Sequence, residues 1–210
     1  MHRKSLLVAI VGGSGSGKTW LAERLQKSLG RGAGRLSQDD FYRDRSHLPF
    51  GRRSLINFDH PRAIDWKLFE RVLKSCSAGR RVRLPRYDFA RHERSKQCCG
   101  WQPTAFILAE GLWLLRRPSL RRLFTVSIFI DCAESLRFRR RLQRDRAQRG
   151  RTEASVRKQF FGAVAPMHRR FVQPQIRRAD IVLKGTLGQR QIDGLVSRIR
   201  RLLKERSTKG

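Results

Sequence analysis

Gly12-Gly13-Ser14-Gly15-Ser16-Gly17-Lys18-Thr19 fills every fixed position of the pattern G-x-x-x-x-G-K-[ST]. In such a stretch the glycines let backbone N–H groups turn inward around phosphates, the lysine reaches the outer phosphates, and the last hydroxyl holds Mg²⁺. The ligand implied is a nucleoside triphosphate. Phosphoryl transfer also asks for a group that orients or deprotonates the acceptor. Asp39 follows the short run Arg35-Leu36-Ser37 and would stand above a sheet facing the phosphates, although a loop aspartate can equally cap a helix or turn. Glu110 ends an apolar run, where a carboxylate holds Mg²⁺ directly or through water, or else caps the next helix. Asp131 ends a comparable run and is expected to be structural. Arg141 and Arg144 share one helical face, and Arg149-Gly150-Arg151 forms its hinge-like end. Closure of such a segment over a phosphate would neutralise charge in the transition state. The other arginines of this helix, Arg137, Arg139, Arg140 and Arg146, are read as a solvated face.

These groups need a frame. Leu6-Leu7-Val8-Ala9-Ile10-Val11 reads as a buried strand directly before the glycines, and Leu21, Leu25 and Leu29 mark the helix after them, stopped at Gly30. Residues 46–61 lack periodicity and read as loop. A helix from about Asp65 carries Trp66, Phe69, Val72 and Leu73 before Gly79. The stretch 82–89 alternates like a strand, but Pro85 demotes it to an edge or an excursion, which a hairpin with residues 97–102 would suit. Runs 106–111 and 126–131 read as central parallel strands, 135–149 as a cationic helix, 181–183 as a fifth strand, and Ile192, Leu195, Val196 and Ile199 as the face of a final amphipathic helix. Strands alternating with helices after a phosphate loop predict a three-layer α/β fold with a mostly parallel five-stranded sheet.

At 210 residues, a single domain over 1–210 is the economical expectation. No apolar run approaches the roughly 18 residues of a membrane span, and Met1-His2-Arg3-Lys4 leads into a strand, not a signal peptide, so a cytoplasmic protein is expected. The cysteines Cys76, Cys98, Cys99 and Cys132 show no zinc spacing and no disulfide framework. With 48 Lys plus Arg against 17 Asp plus Glu, the formal charge is +31. That excess would draw nucleic acid non-specifically, yet the charge is spread along the whole chain.

The ordered set Gly12 to Thr19, Ser37-Gln38-Asp39-Asp40-Phe41-Tyr42, Asn57-Phe58-Asp59-His60-Pro61, Pro85-Arg86-Tyr87-Asp88-Phe89 with His92 and Arg94, Glu110-Gly111, Arg144-Asp145 with Arg149-Gly150-Arg151, and Ala179-Asp180-Ile181 resembles the uridine kinase (uridine–cytidine kinase) family of P-loop kinases. The resemblance spans roughly residues 6–186. It implies transfer of the γ-phosphoryl group of ATP or GTP, with Mg²⁺, to the 5′-hydroxyl of uridine or cytidine. It further implies Asp39 as base, with Lys18, Arg144 and Arg149 as its catalytic companions and Arg151 at the nucleotide beside the loop. Asp59, Arg141 and Gln159 would hold the sugar, Phe58, Tyr87, Phe89 and His92 with Tyr42 would enclose the base, and Thr19 with Glu110 would hold the metal. Residues 82–102 would form a small hairpin arm, 136–160 an arginine-rich lid, and the chain a homo-oligomer, a tetramer. Departures from the family pattern are Gln148 in the lid motif, Cys132-Ala133-Glu134 after Asp131, and the bulky Trp20. Alternatives at this point are a kinase for another small acceptor (nicotinamide riboside, pantothenate or ribulose 5-phosphate) and a non-catalytic polyanion-binding protein on the same scaffold.

Overall fold

The structure, a computed structural model, describes residues 4–54, 56–185 and 188–207. Of the lead Met1-His2-Arg3-Lys4 into the first strand, residues 1–3 lie outside the described residues.

Strand β1 (Leu6–Gly12) is buried along its whole length. It is flanked on one side by β7 (Phe106–Gly111) and then β2 (Ala33–Ser37), and on the other by β8 (Val126–Asp131) and then β9 (Ile181–Lys184). All four ladders are parallel. The strands read as apolar runs because both faces are covered. Leu7, Ala9 and Val11 face one core, with Phe69 and Leu73 of α3 (Trp66–Ser77). Leu6, Val8 and Ile10 face the other, with Leu21 and Leu25 of α1 (Lys18–Leu29) and Ile192, Leu195 and Ile199 of the final helix, α8 (Gln189–Ser207). Helix α3 starts where the Asp65 side chain accepts a hydrogen bond from the Leu68 N–H, a cap that satisfies one orphan donor. It stops before Gly79, whose φ of 71° suits glycine.

Register positions the site. Ile10 pairs with Glu110, and Ser37 pairs with the same Glu110. The carboxyl ends of β1, β7 and β2 therefore lie level, and the phosphate loop, Glu110 and the turn carrying Asp39 leave the sheet side by side.

The expected strand over 82–89 is divided at Pro85. Strand β3 (Val82–Leu84) pairs with β6 (Cys99–Trp101), whereas β4 (Tyr87–Asp88) pairs with β5 (Glu93–Arg94). Residues 46–61, expected as loop, contain the short helix α2 (Phe50–Ser54), and a 3-10 turn, Pro61–Ala63, follows. A five-residue helix is too short to show an apolar period, so only tertiary contact makes it visible. Beyond α5 (Glu134–Arg149), the chain runs through α6 (Glu153–Gln159) into two π turns, Phe160–Val164 and His168–Val172, either side of α7 (Ala165–Met167). No helix among the described residues is long and apolar enough to cross a membrane.

Candidate active site

The phosphate loop is held from outside by α5. A Cβ on Gly15, which has φ 80°, would collide with the Arg137 backbone carbonyl. Gly17 closes the loop at φ 97°, a conformation that costs other residues heavily. A Cβ on Gly13 would lie 2.5 Å from the His168 ring, and one on Gly12 would lie 2.6 Å from Ser16 Oγ. The Ser16 N–H donates to the Gly13 carbonyl at 3.1 Å, and Ser14 Oγ accepts from Arg141 at 2.9 Å.

Lys18 folds back over the loop, donating from Nζ to the Gly13 carbonyl at 3.0 Å. Its pKa is lowered, chiefly by burial, against the charges of Glu110 and Asp39 that raise it. Thr19 Oγ1 donates to Glu110 Oε2 at 2.7 Å. Burial lifts the Glu110 pKa while the Thr19 bond and Lys18 oppose the lift. A hydroxyl and a carboxylate at the mouth of the loop are hard oxygen donors. They fit Mg²⁺, which takes few protein ligands and completes its shell with water and phosphate oxygens. Among the described residues no cluster of three or more His, Cys, Asp or Glu could hold a metal ion.

Asp39 sits on the turn after β2, its N–H donating to Ser37 Oγ at 3.3 Å. Its charge acts on Lys18, Glu110, Tyr42 and Asp59. Asp59 has Arg141 Nη1 at 4.0 Å. The Asp59 pKa is raised, first by burial, with Arg141 pulling the other way.

Arg141 is the joint of the site. It reaches Ser14 of the loop, Asp59, and Gln159, whose side-chain oxygen accepts from it at 2.8 Å. Behind it Asp145, 0% exposed, meets Arg141 at 3.4 Å, Arg144 at 2.8 Å, Arg149 at 3.6 Å and Arg151 at 3.7 Å. Arg144 also acts on Lys18 and Asp59 electrostatically. Arg151 bonds to Gln159 and Ser155 and lies within the arginine cluster instead of touching the loop.

Aromatic rings fill the remaining side. Tyr42 meets Phe58 and Tyr87, each at 5.2 Å between centroids, and Phe89 at 6.4 Å. His92 stacks on Phe58 at 5.1 Å and 16°. Its pKa is lowered, by burial first and by Arg53 next. Arg149 lies over Phe89 at 5.7 Å and so spans from α5 to the β4–β5 hairpin. Tyr42 donates its hydroxyl proton to the Phe58 carbonyl at 3.1 Å, and burial drives its pKa well up.

Two of the arginines expected on a solvated face of α5 are placed otherwise. Arg137 is 2% exposed, its Nε donating to the Cys132 carbonyl at 3.1 Å, and Arg140 donates to the Ser16 carbonyl at 3.3 Å. The charge run turned a face inward because the phosphate loop packs on α5. Asp145 and His168 were given no role by the residue reading. The spacing Arg141-x-x-x-Asp145-x-x-x-Arg149 could have revealed the first. No local signal marks His168, since π turns shift the helical phase around it. Asp131, expected to be structural, accepts from Gln173 at 3.3 Å, and Asp180 accepts from the Ser127 N–H at 2.8 Å and the Ser127 hydroxyl at 2.6 Å.

Residues 7–191 match the family described as phosphoribulokinase / uridine kinase. Uridine kinase of Deinococcus deserti is 39% identical over 201 residues, covering 95% of this chain and 97% of that protein. The chain belongs to the phosphoribulokinase / uridine kinase family. Uridine kinase of Staphylococcus epidermidis, 38% identical over 97% of this chain and 99% of its own length, is another relative in this family. Among solved structures, a putative fructose transport system kinase from Silicibacter sp. TM1040 has a TM-score of 0.69 at 24% identity, covering 86% of this chain and 90% of that one. Phosphoribulokinase from Rhodobacter spheroides has a TM-score of 0.65 at 19% identity, covering 86% and 70%. At such identities the two structures establish the P-loop kinase fold, which this family member shares.

Proposed function

We propose that this kinase transfers the γ-phosphoryl group of ATP or GTP to the 5′-hydroxyl of uridine or cytidine, forming UMP or CMP. The observation that supports the reading is the shared register of Ile10 and Ser37 on Glu110, by which the turn carrying Asp39 leaves the sheet next to the phosphate loop, with Arg141 linking Ser14 of that loop to Asp59. Asp39 takes the proton of the 5′-hydroxyl as its oxygen attacks the γ-phosphorus, and the bond from that phosphorus to the bridging β-oxygen breaks to release the diphosphate. Asp59 accepts hydrogen bonds from the ribose hydroxyls, with Arg141 and Gln159 fixing its side of the sugar. Tyr42, Phe58, Tyr87, Phe89 and His92 supply a slot for a flat neutral base with a few polar handles. Lys18, Arg144 and Arg149 face the oxygens on which charge builds, and Arg151 supports them through Asp145. Mg²⁺, when bound at Thr19 and Glu110 with the triphosphate, neutralises charge on the phosphate oxygens.

Ser14, Asp59, Leu112 and His168 line a small gap of about 10 Å³ beside the loop. In this reading residues 136–160 supply the arginine-rich lid over the phosphates, and residues 82–102 act as the arm beneath the base. The same reading makes the protein a cytoplasmic homo-oligomer.

The test is a coupled assay of the purified chain with ATP and GTP over uridine, cytidine, purine nucleosides, nicotinamide riboside, pantothenate and ribulose 5-phosphate. Phosphorylation of uridine or cytidine above the rest is the expected result. Turnover confined to another acceptor, or absent for both pyrimidine nucleosides, overturns it.

A further inference from the structure

The active site leaves most of the +31 charge unexplained. On the outer side of the wall that carries Asp59, three segments converge: the turn His60–Arg62, the stretch after β7 at Arg116, and the end of the bulged helical run at Arg170 and Phe171. Arg116 and Arg170 lie 4.9 and 5.1 Å from the centroid of the Phe171 ring, and His60 meets its edge at 5.0 Å. Arg178 joins them by donating to the Arg116 carbonyl at 3.1 Å. The charges acting on His60 are those of Arg62, Arg170 and Arg116, with no carboxylate among them.

Arg62, Arg116, Arg170 and Arg178 are exposed, and none forms an ion pair among the described residues. Arg146 and Arg157 share Glu153 and Arg169 meets Glu134, whereas exposed arginines elsewhere, such as Arg52 and Arg83, are unpaired among the described residues like these four; what sets this face apart is that Arg116 and Arg170 converge on one ring. Like charges drawn around a neutral ring without an acidic counterpart repel one another, and an external polyanion relieves that repulsion. Every charge is a guanidinium, whose planar fork matches phosphate oxygens two at a time. Arg116 and Arg170 share one ring, so they stand no more than about 10 Å apart, a span containing successive phosphates spaced about 3.4 Å along a strand axis.

We propose that this face binds the phosphate backbone of nucleic acid, with Arg116 and Arg170 over Phe171, Arg62 beside His60 and Arg178 at the Arg116 carbonyl as its contacts. Phe171 lies beneath guanidiniums and offers no stacking platform, so the binding is independent of base sequence.

The test is fluorescence anisotropy of a labelled 20-mer oligodeoxythymidylate, titrated with the full chain from about 50 to about 300 mM KCl. The triple variant R62Q/R116Q/R170Q is compared with R190Q/R198Q/R201Q, which removes equal charge from exposed positions of α8. The patch variant is expected to flatten the slope of log affinity against log salt by about two and to weaken binding more than tenfold at low salt, with under half that effect from the control. R62K/R116K/R170K, which keeps the charge, restores the slope and separates charge loss from misfolding. Equal losses in the two glutamine variants, no restoration by lysine, or displacement of the oligonucleotide by polyglutamate at equal charge would each overturn the proposal.

Discussion

Asp39 and His168 show how position alone gives ordinary residues unlike tasks. Asp39→Asn preserves shape and removes the proposed proton acceptor. Turnover is expected to fall by about 10²- to 10⁴-fold while affinity for a non-hydrolysable ATP analogue does not weaken. Calorimetry beside single-turnover kinetics separates the two, and full turnover in the variant would remove Asp39 as the base. His168 packs against Gly13, and its pKa is pushed down to about 3 from the ordinary 6.5, by burial first and by Arg137 and Lys18 next. With the folded value depressed, the unfolded chain takes up this proton first, so its contribution to stability drains away as pH falls from about 6.5 towards about 3. Asp59 and Glu110, with raised values, take up protons more readily when folded and slope the other way in acid. His168→Asn should therefore flatten the acid loss of stability by up to about one proton, read from urea unfolding at stepped pH. An unchanged slope would show that His168 is not held neutral by the fold.

At the scale of elements, α5 is a helix that its own sequence would not favour, since so many like charges repel along it. Asp145 resolves this by meeting four guanidiniums, and its carbonyl accepts from the Arg151 N–H at 3.1 Å as the helix ends at Gly150. Asp145→Asn keeps the volume and removes the compensating charge. Leaving buried Arg141 without it is expected to cost about 3–5 kcal/mol, seen as a lower urea midpoint. Under the proposed mechanism the KM for nucleoside rises too, because Arg141 also holds Ser14 and Gln159. A variant as stable as the parent would mean that the arginines are solvated and the cluster is no anchor. The hairpins divided at Pro85 are joined to α2 by Arg53, whose Nη1 reaches Glu93 at 2.6 Å, a tie no sequence period announces.

For the whole molecule, net charge works against compactness. Raising salt from about 0.1 M to about 1 M shortens the screening length from about 10 to about 3 Å. With an excess of +31, repulsion outweighs the scattered surface pairs, so NaCl should raise the melting temperature. A fall would mean that pairs such as Arg53–Glu93 carry more stability than the repulsion removes.

The chain alone determined the five strands of the sheet and the phosphate loop, because apolar runs and a glycine-lysine-threonine spacing are local constraints that hold wherever the segment is placed. The order of the strands, the inward turn of Arg137 and Arg140, the gathering of four arginines on Asp145, and the packing of His168 on Gly13 were decided only in three dimensions. Each depends on segments distant in sequence meeting at one place. The energy of such a meeting, burial of a guanidinium or neutralisation of a charge, belongs to no single stretch of the chain.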